Sequence, residues 1–257
     1  MTVSSGLTAI RPDGSTRPAG RPFAPEIPVA LEYNGLSYAV MMASPFDLED
    51  FVTGFALTEG LAGSVDDVTG IDIAETDKGW IARATILSLA VEKLQERVRA
   101  RVAESSCGLC GIDNLEVIAK PLPPVARHDP IAPAAIFAAL SAIRDLQPGN
   151  RATGGMHAAA FVRADGEIVA VREDVGRHNA LDKLIGAMAR AATPLAGGFI
   201  LSTARCSYEI VEKAVKAGAT TLVTISVPTS MAAERALSAG LSLFALARPD
   251  EILQVVP

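Results

Sequence analysis

Cysteine, histidine and aromatic residues are scarce in this chain. Its 257 residues include three Cys, three His and one Trp, and aromatics make up 5%. An odd, small cysteine count does not suit a disulfide scaffold. It suits a reducing cytoplasm, where a Cys-x-x-Cys is more often catalytic or metal-binding. Positive charge is not in excess either: Lys+Arg 23 against Asp+Glu 29 gives a net charge of -6. That argues against a broad nucleic-acid surface and leaves room for a local basic pocket. No apolar run reaches the roughly 18 residues a membrane helix requires. The opening "MTVSSGLTAIRPDG" has no basic region leading into a long apolar run, so no secretory signal is expected. What is plentiful is apolar residues, at 49%, enough for a sizeable core in one or two domains.

Residues 1–22, rich in Gly, Pro and Arg, are expected as a flexible tail. An N-terminal α+β domain over 23–118 follows. Its opening "IPVALEYNGLSYAVMMAS" predicts two strands around Asn34-Gly35, a pair suited to a type I′ hairpin. In "SPFDLEDFVTGFALTEGL", Pro45 and the acids Asp47, Glu49 and Asp50 fit a helix N-terminus. Strands are predicted over 68–74 and 80–87, then an amphipathic helix over 91–103. "AKPLPPVARHDPIAP", with five prolines, predicts a linker over 119–133. From 134 to 257 the pattern becomes regular. It predicts a helix at 134–146, a hairpin of 159–163 and 168–172, helices at 178–191, 207–217 and 230–239, and strands at 198–203, 221–227 and 241–247. That alternation predicts a largely parallel sheet covered on both faces.

Ligands of such sheets bind beyond the carboxyl ends of the strands. The loops there read "REDVGRHN", "STARCSYE", "SVPTS" and "ARPDE". Three of the four open a helix, whose free N–H groups and positive dipole end suit phosphate. Arg177, His178, Lys183, Arg205 and Arg248 supply cations, and Ser202, Thr203, Ser207, Thr229 and Ser230 supply hydroxyls. Taken singly, each loop reads as plain capping; their shared edge points to a phosphate-bearing, nucleotide-like guest. His157, at the entry to a strand, reads equally as a core residue and as a ligand contact, whereas His178 is assigned to the site.

The sharpest motif is "ESSCGLCGIDN", with Cys107 and Cys110 in a Gly/Ser-rich loop. Structural zinc needs four ligands, and no second pair with ligand spacing exists among Cys206, His128, His157 and His178. A thioredoxin-like pair would open a helix, whereas this pair follows one. An accessible nucleophile remains, able to carry sulfane sulfur by displacement at a persulfide. Glycines would let the loop swing, and Arg101 and Lys120 would favour the thiolate.

These residues carry a resemblance to the FdhD family, the formate dehydrogenase accessory sulfurtransferases. It rests on "SSCGLCG" (105–111), "TGGMHAAAF" (153–161), "REDVGRHNALDKLIG" (172–186), "SYEIVEKAVKAGA" (207–219), "VPTSMA" (227–232), "ARPD" (247–250) and "SPFDLEDFVTGFALTEGL" (44–61). The resemblance implies a sulfur carrier that takes sulfur from a cysteine desulfurase. The acceptor it implies is the molybdenum or tungsten bis-pterin guanine dinucleotide cofactor of formate dehydrogenase. Cys107 is the implied persulfide carrier and Cys110 its assistant. Leu246, Ala247, Arg248, Pro249, Asp250 and Glu251 form the implied cofactor segment, joined by Arg177, His178, Arg205, Ser207 and Thr229 at the rim. A cytidine-deaminase-like three-layer C-terminal domain, a homodimer and a cytoplasmic location are also implied. No structural metal, nucleic acid or membrane partner is expected.

Three features depart from the family pattern: Cys206, Ala204 and the acidic Asp250-Glu251. Two rival readings stand beside the carrier. One is a non-catalytic chaperone that binds the cofactor and inserts it into formate dehydrogenase. The other is a zinc nucleobase deaminase. The latter needs a His- or Cys-x-Glu and a Pro-Cys-x-x-Cys, and the corresponding places hold His178-Asn179-Ala180 and Arg205-Cys206-Ser207.

Overall fold

A computed structural model describes residues 6–90, 94 and 120–256. The thiol loop with Cys107 and Cys110, Arg101, and the predicted helix over 91–103 except Leu94 lie outside the described residues. Within the segment expected as a tail, β1 (Leu7–Ile10) and β2 (Thr16–Ala19) pair antiparallel. The turn chemistry explains the ribbon. The Asp13 carboxylate accepts from the Ser15 amide and hydroxyl, and Gly14 takes φ 80.

The second sheet holds β3 (Ile27–Tyr33), β4 (Leu36–Ala43), β5 (Val68–Thr76) and β6 (Gly79–Ile86), in the order β4-β3-β6-β5. Asn34 (φ 49) and Gly35 (φ 78) make the expected left-handed hairpin corner. Val29, Leu31 and Tyr33 alternate inward from β3 and are fully buried. They meet Phe51, Val52 and Phe55 of α1 (Leu48–Thr58) in one core that also takes in Leu94.

The third sheet runs β12-β11-β10-β9-β7-β8. Its strands are β7 (His157–Arg163), β8 (Ile168–Asp174), β9 (Gly198–Ser202), β10 (Thr221–Thr224), β11 (Ser242–Ala245) and β12 (Leu253–Gln254). Helix α2 (Pro133–Ala142) covers one face, through Ile136 and Ala139 on Val162, Phe199 and Val223. Helices α4 (Arg177–Arg190), α5 (Tyr208–Lys216) and α6 (Ser230–Ala239) cover the other. The α/β fold has the three layers anticipated, with a smaller α+β part before them. The sheet itself is mixed rather than largely parallel. Strands β8, β9, β10 and β11 point the same way, each joined to the next by a helix, but β7 lies between β8 and β9, so only β9–β10 and β10–β11 pair in parallel. The β7–β8 hairpin and the return of the chain into β12 are antiparallel, as is β7 on β9. A short helix, α3 (Pro148–Thr153), has no sequence signal beyond Pro148; Glu173 holds it by accepting from Gly149 N (2.8 Å) and Asn150 N (2.7 Å).

The two larger sheets meet where α1 crosses α4. A β-carbon on Gly54 would lie 1.8 Å from the Asp182 carbonyl oxygen, and one on Gly186 would lie 1.9 Å from that of Asp50. Only glycine permits backbones this close. Around the crossing sit buried charges, all paired. Asp50 takes Arg172 (2.7 Å) and Arg190 (2.6 Å), and Asp182 takes Lys213 (3.0 Å) and the Thr58 hydroxyl (2.8 Å). Burial raises the pKa of Asp182, partly offset by Lys213; the Lys213 pKa is nevertheless raised, since its carboxylate neighbours outweigh its own burial.

Candidate anion-binding site

The carboxyl ends of β9, β10 and β11 and the start of β7 share one edge. The register sets Ala159 opposite Ser202 and His157 opposite Asp174. Thr203 ties the loop after β9 to this edge, its hydroxyl accepting from Ala158 N at 2.8 Å. Ser202 accepts from Ala204 N at 3.3 Å, and Thr229 N donates to Cys206 O at 3.0 Å. These hydroxyls and amides are therefore committed to loop shape.

Helix α4 begins on this edge against its own electrostatics. Its N-cap is Gly176, with no side-chain cap, and its first turn holds Arg177 and His178 but no acid. Cations at the positive end of a helix dipole are unfavourable unless an anion joins them. The Arg177 Nε is buried and has no hydrogen-bond partner among the described residues. A buried, unpaired guanidinium nitrogen costs free energy, so a ligand-derived acceptor is the natural complement. His157 stands in the same field. Burial pushes its pKa below the ordinary imidazole value, and Arg177 and Arg205 push it further, with His178 adding to them and Asp174 opposing. The starts of β7 and α4 and the loop after β9 thus bring Arg177, Arg205 and two histidines together.

Glu209 belongs to this cluster and was not singled out by the sequence. Its carboxylate accepts from the Ser207 hydroxyl at 2.8 Å and stands 3.3 Å from His178 Nε2. Burial alone would raise its pKa, but His178, Ser207 and Arg177 outweigh that and hold it below the usual value. Ser207 thus spends its hydroxyl on Glu209 rather than on capping α5. A signal existed in "SYE": a carboxylate two residues after a helix-opening serine, facing the basic pair that opens α4.

The other expected residues divide. Arg205 is exposed at the rim. Thr229 is the plain cap, accepting from Ala232 N at 3.2 Å. Leu246, Ala247, Arg248, Pro249, Asp250 and Glu251 follow β11 onto the same edge. Ala247 N donates to Thr224 O and Arg248 N to Glu251 O, with Leu246 held at φ 46. Arg248, Asp250 and Glu251 are exposed, and among the described residues no hydrogen bond or ion pair links them to Arg177. Lys183, expected to add charge to the rim, does not: it is fully buried and paired with Asp174 at 2.6 Å. Burial lowers its pKa, against the pull of Asp174. Cys206 is buried too, and burial pushes its thiol up to about 12.

Residues 24–255 match the model of the FdhD/NarQ family. A Variovorax paradoxus protein named "Sulfur carrier protein FdhD" is 41% identical over 230 residues, covering 90% of this chain and 83% of its own. Namesakes from Bordetella petrii (43% over 225 residues, 88% and 81%) and Acinetobacter baylyi (44% over 225 residues, 87% and 82%) are similar. A solved structure from Desulfotalea psychrophila, provisionally assigned as a formate dehydrogenase accessory protein, superposes with a TM-score of 0.77 at 21% identity. That match covers 100% of this chain and 97% of the other.

Proposed function

The chain belongs to the FdhD/NarQ family, and from that premise we propose that it is a sulfur carrier serving formate dehydrogenase, with Cys107 as the carrying thiol. The Cys107 thiolate attacks the outer sulfur of a persulfide on a cysteine desulfurase. The S–S bond of the donor breaks, the donor cysteine leaves as thiolate, and Cys107 becomes Cys–S–SH. Charge and electrons balance without an added oxidant. The receiving substrate is the molybdenum or tungsten bis-pterin guanine dinucleotide, whose phosphates would lie on the strand-end rim. Arg177 and Arg205 supply the positive field there, with His157 beside them, and the N–H groups of the α4 start supply donors.

One observation supports the rim as the phosphate site: Arg177 at the α4 start and Arg205 after β9 both bear on His157, and the buried Arg177 Nε has no hydrogen-bond partner among the described residues. No helix among the described residues is long and apolar enough to cross a membrane.

Incubating the protein with desulfurase and cysteine should add one sulfur, about 32 Da, to Cys107 on peptide mapping. Cys107→Ala should leave the fold intact and abolish activation of formate dehydrogenase. Full activation by the Cys107→Ala/Cys110→Ala double variant would sink the carrier role and favour cofactor insertion without sulfur transfer.

A further inference from the structure

We propose that Ser44, Asp174 and Lys183 form a clamp that positions Arg177, so that contact between the two larger sheets assembles the anion site. Asp174 ends β8, three residues before Arg177. Its Oδ1 accepts from Gly176 N at 2.7 Å and from Asn179 Nδ2 at 3.0 Å. Its Oδ2 accepts from Ser44 N at 2.9 Å and meets Lys183 Nζ at 2.6 Å. Ser44, just past β4 of the other sheet, completes the ring. Its carbonyl accepts from Lys183 Nζ at 3.0 Å and its hydroxyl from Val175 N at 3.2 Å. Asn179 also donates to Met42 O at 2.8 Å.

Ser44, Asp174 and Lys183 are wholly shielded from solvent. A β-carbon on Gly176 would lie 2.6 Å from Asn179 Nδ2, pressing on the amide that donates to Asp174 and Met42. Residues 174, 175, 176 and 179 are all fastened to the 42–44 segment, directly or through Asp174. Arg177 sits inside that bracket, and its own Nε has no hydrogen-bond partner among the described residues. Its place at the rim is therefore set by the N-terminal sheet. Within "EDVGRHNALDK", Asp174, Asn179 and Lys183 hold the joint, and Arg177 and His178 face the rim.

This inference rests on the anion-site reading, and the experiment separates the two. GDP is the probe, titrated calorimetrically into the full-length protein, with amide exchange followed over 174–179. Ser44→Ala removes one acceptor with little change of volume. Asp174→Asn/Lys183→Met replaces the charge pair as a unit, in case the serine variant alone is too mild. Asp182→Asn/Lys213→Met breaks the neighbouring pair, which does not touch the bracket. Ser44→Ala should speed exchange over 174–179 and weaken GDP by about tenfold, since small misplacements of a binding group cost at least this much. The 182/213 variant should lose stability and keep its GDP affinity. Unchanged affinity and exchange in both clamp variants would overturn the proposal, as would equal weakening in the 182/213 variant. A wild-type chain that binds no GDP, with exchange still accelerated by Ser44→Ala, would remove the anion reading and support the clamp.

Discussion

The crossing of α1 on α4 and the rim at the strand ends are both crowded with charge, but they treat it differently. At the crossing every buried charge has a counterpart: Asp174 with Lys183, Asp182 with Lys213, Asp50 with two arginines. At the rim Arg177 and Arg205 meet beside His157 and Glu209, and among the described residues a buried guanidinium nitrogen goes unmet. A closed set of charges fixes geometry and leaves nothing for a guest; an open set of one sign is what a guest of the other sign can complete. Asp174 and Arg177 are close in sequence and lie on opposite sides of this divide.

Breaking the closed set should have the largest effect. Lys183→Met leaves Asp174 buried without its cation and should cost about 3–5 kcal/mol by urea unfolding; a loss below about 1 kcal/mol would show that the pair does not hold the crossing. Gly186→Ala comes next, because the new β-carbon meets backbone rather than a side chain. Overpacking of this kind costs about 1–3 kcal/mol, also read by unfolding. The open set should respond in the reverse sense. Arg177→Ala should leave stability unchanged or slightly raised while weakening GDP by about tenfold, or about 1.4 kcal/mol; destabilisation with intact binding would place Arg177 among the structural charges. The subtlest effect is on His157. Its folded pKa lies below 6.5, so the unfolded chain takes up this proton first. Its contribution to stability is thus fully present above 6.5 and declines as pH falls through 6.5 towards the folded value. An anion on the rim should raise that folded pKa, visible as a shifted imidazole titration by NMR when GDP is added.

Much of the C-terminal fold can be read from the sequence, because α4, α5 and α6 alternate with strands and each carries one strong period. What local pattern does not encode was missed. Helix α3 is short and polar and is held by Glu173, more than twenty residues away. The direction of β7 and β12 depends on connections rather than on the strands' own residues. The β1–β2 ribbon depends on one Asp-Gly turn inside a stretch whose composition suggests a tail. At the rim, Arg177, His178 and Arg205 were legible as basic residues in the loops that open helices. Lys183 was not, since the sequence shows a charge but not the buried aspartate waiting for it. Glu209 was passed over although it stands two residues after Ser207, because its approach to His178 is made by the fold and not by local spacing.

Cys206 gives the rim a built-in sentinel. With a thiol proton held to about pH 12 and no exposed surface, it has almost no thiolate at neutral pH. Alkylating reagents should pass it by as long as the β9–α5 corner stays shut. A label appearing on residue 206 under native conditions would time the opening of that corner, and its half-life would measure how often the edge breathes.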